Sequence, residues 1–346
     1  MSATLVGAAS GLGQGASATR PRVGFLGAGW IGRHRLAAIA AEDVVDIVAV
    51  CDPSAEAVTE SLRLAPGAGA AASLDELLAL GLDAVVIATP SAAHAEQSIA
   101  ALERGLAVFC QKPLARSADE TRQVVEAARR ADRLLGVDLS YRETRAMQAI
   151  RGLVRDGALG DVYAVDLVFH NAYGPDKPWF YDRALSGGGC VIDLGIHLVD
   201  LAMWTLDRSS VRGGTARLYA KGRPLAPGAV EDYAVATLDL VGDVTVRLAC
   251  SWHLHAGEDA VIEATFHGSA GSASMRNVGG SFYDFAAYRQ QGTRREPLVQ
   301  PPDEWGGRAA AAWARQLAGH ARYDASIERL IDVAGALDLI YREARA

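Results

Sequence analysis

Two rhythms of apolar and polar positions run along the chain, and they change near residue 141. From Arg22 onward, short unbroken apolar runs alternate with segments of helical period. "RVGFLGAG" is the first run, ending in glycines, and "WIGRHRLAAIAAE" follows it as a helix. "VDIVAVCD", "DAVVIATP", "AVFCQKP" and "LLGVDLS" are the later runs, with "SLDELLAL", "AAHAEQSIAALERG" and "SADETRQVVEAARRA" as helices between them. Ser73 with Glu76, and Ser117 with Glu120, have the spacing of capping boxes at two helix starts. Strand-length apolar runs alternating with helices predict βαβ units, hence a parallel sheet covered on both faces. This doubly wound unit is assigned to residues 21–141.

The second rhythm is different. A helix is expected at about residues 146–156, then the strand "VYAVDLVFH", then a glycine-led helix in "SGGGCVIDLGIHLVD". The segments "VRGGTARLYAK", "EDYAVATLDLV", "VTVRLACSWHL", "DAVIEATFHGS" and "GSASMRN" then follow, several of them alternating apolar and polar residues. That period predicts an antiparallel or mixed sheet with one face solvated or paired with another subunit. The last forty residues return to helical period. The fold class expected is therefore α/β. A parallel-sheet domain is followed by a C-terminal α/β domain, residues 142–346, built on a large, mostly antiparallel sheet. The C-terminal helices are free to pack back on the first domain. Residues 1–20 read as a flexible tail without the charged start or apolar core of a secretion signal. The "GLGQG" in that tail has no strand before it and no periodic helix after it.

One short motif adds chemistry to the first domain. "GAGWIG" sets Gly27, Gly29 and Gly32 in GxGxxG spacing, with Trp30 and Ile31 between them, directly after a strand and opening a helix. The first glycine permits the tight turn, the second lets backbone approach a pyrophosphate, and the third lets helix and strand pack. The phosphates would sit at the helix N-terminus. Asp52 ends the second strand twenty residues after Gly32, where an acid binds ribose hydroxyls. The domain is thus expected to be a Rossmann dinucleotide-binding domain. A carboxylate at Asp52 repels a 2′-phosphate, which favours NAD over NADP, although Arg33 and Arg35 stand near enough in sequence to serve a phosphate.

The second domain poses a sharper question. Asp193 and His197 sit four residues apart inside an otherwise apolar helix, so they share one face. Lys112 and Pro113 follow a strand end, and in a parallel sheet those ends line the ligand crevice. Taken alone, Asp193 and His197 read equally well as a self-satisfied buried pair, and Lys112 as a surface lysine beside a turn.

Composition narrows the field. The chain has 346 residues, a formal net charge of −7 and 22% charged residues, with Lys and Arg scattered. That argues against nucleic acid and anionic membrane as partners. The four cysteines show no CxxC spacing and read as reduced thiols in a cytoplasmic protein. No metal site is expected, and no run of 18 apolar residues suggests a membrane span.

Taken together, the GxGxxG domain, "ATPSAAH", the Lys-Pro pair, "WFYDRALSGGGCVIDLGIHLVDLAMW" and the following sheet resemble the Gfo/Idh/MocA family of sugar and polyol oxidoreductases. The likeness covers nearly the whole chain beyond the tail. It implies that Lys112, Asp193 and His197 are catalytic and that Thr89, Pro90 and His94 form a cofactor-side loop. It also implies a homodimer or homotetramer joined through the C-terminal sheet. One departure stands out: the family usually has Glu-Lys-Pro, whereas this chain has Gln111 beside Lys112. Arg142, in "SYRETRAM", matches only loosely and is a weaker substrate candidate, as are Trp179 and Tyr181. Gly187 to Gly189 are expected to bring backbone close to the ligand. Asp200 is placed either to orient His197 or as a surface acid. The function implied is hydride transfer between a sugar, inositol or related polyol and NAD, with His197 or Lys112 as the base. An NAD-using glycosidase and a non-enzymatic NAD-binding sensor are the alternatives.

Overall fold

The computed structural model describes residues 20–208 and 210–344. The tail, apart from Arg20, and its GLGQG lie outside the described residues.

The first sheet is made of β1 (Arg22–Leu26), β2 (Asp46–Cys51), β3 (Gly69–Ala70), β4 (Ala84–Ile87), β5 (Ala107–Cys110) and β6 (Leu135–Val137). Their spatial order is β3-β2-β1-β4-β5-β6, and every pair is parallel. Between them run α1 (Trp30–Ala41), α2 (Ala55–Leu64), α3 (Leu74–Leu78), α4 (Ser91–Glu103) and α5 (Ala118–Ala131). The order reverses between β1 and β4, the switch point where ligands bind in such sheets. Both capping boxes form. Ser73 Oγ accepts from the Glu76 N–H and Ser117 Oγ from the Glu120 N–H, each at 3.2 Å. The glutamates reach back one residue beyond the cap, to the N–H groups of Ala72 and Arg116.

The chain continues through α6 (Arg145–Arg155), β7 (Val162–Asn171), α7 (Arg183–Ser186), a π-helical turn over Val191–Gly195 and α8 (Ile196–Leu206). A second sheet follows from β8 (Val211–Ala220), β9 (Arg223–Pro224), β10 (Tyr233–Leu240), β11 (Val244–Ser251), β12 (Ala260–Gly268), β13 (Gly271–Asn277), β14 (Phe285–Gln291) and β15 (Arg294–Val299). With β7 it makes nine strands in the order β15-β14-β13-β12-β7-β11-β10-β8-β9. Only β7 and β11 pair in parallel. The last two long strands, β14 and β15, extend the sheet beyond the sequence expectation.

The inward residues of this sheet, such as Leu167 and Phe169 on β7 and Leu238 on β10, are buried. They lie under α6, α8 and α10 (Arg329–Glu343). The outward residues form a mixed face of apolar and charged side chains. Val235 is exposed there, but Arg247 and Asp166 form an ion pair at 2.7 Å in the same layer. The alternation was real, and its apolar half was spent on the helices.

The last helices return to the first sheet. On α9 (Arg308–Gly319), Trp313 packs against Phe109 of β5 with ring centroids 5.5 Å apart. A Cβ on Gly136 would lie 2.6 Å from the Trp313 ring, so glycine there admits the indole. Residues 183–206 are long and apolar enough in composition to cross a membrane, yet this stretch is largely buried inside the protein.

Candidate active site

A cleft of about 1290 Å³ opens between the C-terminal ends of the first sheet and the π-turn of the second domain. Ligand pockets commonly span about 300–1,000 Å³, so this one has room for a dinucleotide and a second small molecule.

Its floor is the glycine turn. Gly27 has φ +91°, and a Cβ there would lie 2.5 Å from the Ala88 carbonyl. A Cβ on Gly32 would lie 2.3 Å from the Gly27 carbonyl oxygen. These two glycines are needed by the fold. Among the described residues nothing requires a glycine at 29, because a Cβ there meets no atom within 4 Å. Gly29 caps α1 with no side-chain hydrogen bond, which leaves the first N–H groups of the helix for an anion. The turn therefore fits a pyrophosphate. Asp52 accepts from the N–H groups of Ala28 at 2.7 Å and Ser54 at 2.8 Å, which fixes its carboxylate beside the turn. Trp30 is 57% exposed over the cleft and packs on His34. Ile31 also lines the cleft.

Neither arginine near the turn is free for a phosphate. Arg33 donates to the Ala28 carbonyl at 2.8 Å and pairs with Glu60. Arg35 is buried against Asp138.

Three strand ends supply the next layer. After β4, Thr89 and Pro90 line the cleft, with Thr89 Oγ1 donating to Gln97 at 2.6 Å. His94 lies behind them, 1% exposed, each ring nitrogen 2.7 Å from a carbonyl, those of Pro113 and Thr89. It braces the two loops against each other. Burial holds its pKa below the ordinary imidazole value, against the two carbonyls and with the help of the Lys112 charge. After β5, Gln111 donates to Asp138 at 2.7 Å, and Lys112 reaches across the cleft.

Lys112 Nζ donates to Asp193 Oδ1 at 2.5 Å and to the Asp193 carbonyl at 2.8 Å. The other carboxylate oxygen of Asp193 accepts from the Trp252 indole at 3.0 Å. Asp193 thus spends its carboxylate on Lys112 and Trp252 and makes no hydrogen bond to His197, so the reading of Asp193 and His197 as a self-satisfied pair does not hold. The two residues also do not share one α-helix, since Asp193 sits in the π-turn and His197 in α8. His197 is 7% exposed, its Nδ1 is buried without a hydrogen-bond partner, and its ring packs edge-on to Tyr141. Burial, followed by the charges of Lys112 and Arg35, pushes its pKa well below the ordinary range. His197 is thus neutral and lines the cleft beside the ammonium.

Several expectations are redirected by packing. The triple glycine approaches protein rather than ligand. A Cβ on Gly188 would lie 1.9 Å from the Tyr341 hydroxyl, and one on Gly189 would lie 1.9 Å from the Glu231 carbonyl oxygen. Fully buried Glu231 accepts from the N–H groups of Gly189 and Val191 and from Tyr341, anchoring the start of the π-turn. Asp200 does not touch His197. It is buried in a two-pronged ion pair with Arg142, and burial raises its pKa despite that partner. This pairing removes Arg142 from the substrate candidates, because it is absent from the cleft wall. Tyr181 is likewise outside the wall, its hydroxyl donating to the Pro175 carbonyl. Trp179 does line the cleft, stacked on Phe180 at 3.8 Å.

No local pattern marks Trp252, Glu231 or Asp138, nor the wall formed by Tyr283 and Trp305. None sits in a spaced motif. Among the described residues no group of three or more His, Cys, Asp and Glu side chains is placed to hold a metal ion.

Comparison with known proteins decides the family. Residues 21–139 match the oxidoreductase family with an NAD-binding Rossmann fold, and residues 147–274 match the Gfo/Idh/MocA C-terminal domain. The chain belongs to the Gfo/Idh/MocA family. Among its relatives, the D-glucoside 3-dehydrogenase of Escherichia coli is 28% identical over 271 residues, covering 73% of this chain and 76% of that one. The putative UDP-kanosamine synthase oxidoreductase subunit of Amycolatopsis mediterranei is 30% identical over 272 residues, covering 74% and 75%. GenD2 from gentamicin A biosynthesis, solved with NAD, superposes with a TM-score of 0.79 at 26% identity, covering 99% of this chain and 97% of that one. In this Gfo/Idh/MocA oxidoreductase the glycine turn lies in the matched NAD-binding domain, and the π-turn lies in the matched C-terminal domain.

Proposed function

We propose that the protein is an NAD-dependent dehydrogenase that oxidises a ring hydroxyl of a sugar, inositol or related polyol. The observation that carries this is the meeting of Lys112 and His197 across one cleft whose floor fits a pyrophosphate. The relatives named as glucoside, levoglucosan and inositol 2-dehydrogenases support the same class of substrate.

NAD would be held by the N–H groups at Gly29 to Gly32, with Asp52 on the ribose, and bound NAD supplies the hydride acceptor. The chain's own residues do the rest. Lys112 is already engaged with two acceptors, the posture of a charged donor. It donates to the substrate oxygen and stabilises the negative charge that develops there. His197 is neutral, lines the same cleft as that ammonium, and takes the hydroxyl proton. Asp193 and Trp252 fix the lysine. Trp179, Tyr283 and Trp305 exclude water and offer flat apolar faces to a sugar ring. With both nearby arginines engaged, the Asp52 carboxylate makes NAD the preferred cofactor over NADP.

The four cysteines are free and buried, which supports a cytoplasmic protein. A homodimer or homotetramer through the outward face of the large sheet would cover Val235. The test of function is NADH formation with a panel of D-glucosides, levoglucosan and myo-inositol, together with thermal shift by NAD. Absence of both signals would sink the reading.

A further inference from the structure

Lys112 has a neighbour that the proposed chemistry does not use. Gln111, Asp138 and Arg35 form a buried trio from three elements: the end of β5, the end of β6 and the middle of α1. They are 7%, 1% and 5% exposed. Arg35 Nε donates to Asp138 Oδ2, and Gln111 Nε2 donates to the same oxygen at 2.7 Å. Asp138 Oδ1 is buried and has no partner. One cation, one anion and one neutral donor therefore balance in a space with little water. The Gln111 N–H is tied to Ile87 at 2.9 Å and that of Asp138 to Cys110 at 3.0 Å, so neither backbone can easily move away.

This arrangement dictates what position 111 can hold. A glutamate would place a carboxylate oxygen where Nε2 now stands, 2.7 Å from Asp138 Oδ2. Two carboxylates that close cannot both ionise. The single buried cation, Arg35, cannot satisfy both.

We propose that Asp138 is a positioning residue that carries the buried carboxylate of this site, and that Gln111 is neutral because the charge stands at 138 instead. Through Gln111 the trio sets the backbone from which Lys112 reaches Asp193. Through Arg35 it ties α1, whose N-terminus faces the pyrophosphate, to the same strand ends. The inference rests on the NAD-binding reading of the cleft.

It is tested by exchanging the charge, with NAD affinity read by fluorescence titration and stability by thermal melting. Gln111→Glu puts two carboxylates together, and Asp138→Asn leaves Arg35 buried without its anion. Each single variant should weaken NAD binding about tenfold or more, and the double variant Gln111→Glu with Asp138→Asn should return to within about threefold of the parent. Gln111→Leu, which removes the donor without adding charge, should fall between parent and Gln111→Glu. If a single variant does not fold, recovery of a soluble, NAD-binding double variant is the same rescue. A double variant no better than the worse single, or Gln111→Glu indistinguishable from the parent, overturns the inference. A parent protein that binds no NAD speaks against the dehydrogenase reading instead, and the melting temperatures of the parent, the two charge-exchange single variants and their double still report the rescue.

Discussion

Replacing Lys112 with methionine keeps most of the side-chain volume and removes only the ammonium, so its consequences can be separated. The first is stability. Lys112 and Asp193 are 21% and 14% exposed and lie 2.5 Å apart. Removing one partner of a fully buried pair costs about 3–5 kcal/mol. Partial solvation and the remaining Trp252 donor reduce this to about 2–3 kcal/mol. The second is turnover. The cation that meets the developing alkoxide is gone, and loss of such a preorganised donor lowers kcat about 10²- to 10³-fold, or about 2.7–4 kcal/mol. The third is a shift in a different residue. His197 is held below its ordinary pKa by burial first, then by Lys112, then by Arg35. Without Lys112 the imidazole binds a proton more readily, so its pKa rises while burial and Arg35 still hold it down. A base must be unprotonated to act, so the acid limb of kcat should move to higher pH in Lys112→Met. It should vanish in His197→Ala, where kcat falls about 10²- to 10⁴-fold. NADH formation across pH on any active polyol reads both limbs, and histidine Cε1–H titration by NMR reads the shift without a substrate. If Lys112→Met abolishes the limb and His197→Ala keeps it, lysine is the base and the roles are reversed. If the imidazole pKa falls in Lys112→Met, the electrostatic account of the site is wrong.

Asp52→Ser removes the carboxylate that should repel a 2′-phosphate, so the preference for NAD over NADP should narrow by about tenfold, as read by cofactor fluorescence; an unchanged ratio would refute that role. Gly189→Ala forces a Cβ against the Glu231 carbonyl oxygen and should cost about 1–3 kcal/mol in chemical denaturation, whereas Gly29→Ala should leave apo stability nearly unchanged and weaken NAD binding. His197 refuses a proton that the unfolded chain accepts, so its contribution to stability is lost as pH falls below about 6.5. His197→Asn should therefore flatten the acid side of the stability profile by up to about 1.4 kcal/mol per pH unit. Light scattering should give a multiple of 36.4 kDa, and a mass of one chain at micromolar concentration would refute assembly through the sheet.

The elements of the first domain were legible because each carries its signal locally. A buried parallel strand must be apolar throughout, a helix start must find an acceptor for its N–H groups, and a turn at positive φ calls for glycine. β1, the glycine turn and the caps at Ser73 and Ser117 could therefore be placed from a few residues each. The second sheet was legible in period but not in extent. In β14 the sequence "FAAYRQQ" buries its first three residues and then turns polar, and β15, "RREPLV", mixes arginine, glutamate and proline into the edge strand, where little apolar pattern is needed.

The site divides along the same line. Residues fixed by their own strand end or turn, such as Lys112 and Gly29, were found because spacing places them. Partners that arrive from distant sequence were not, because no local pattern constrains them. Trp252 reaches Asp193 from 59 residues away, Asp138 reaches Arg35 from 103, and Tyr341 reaches Glu231 from 110. The same blindness explains the misreadings. "GGG" was assigned to a ligand because nothing nearby explained it, whereas Tyr341 and Glu231 supply the explanation from two other elements. Asp200 reads as an orienter of His197 or a surface acid, and Arg142 as a substrate residue, when each is the other's partner. A polar residue in an apolar run states only that a partner exists. If the partner is protein, a buried ion pair or a cap results; if the partner is a ligand, the polar group faces open space. Lys112, although paired with Asp193, and His197 both line the cleft, whereas Asp200 and Glu231 are spent on protein partners away from it, and this separation makes the former pair the place to test chemistry and the latter pair the place to test stability.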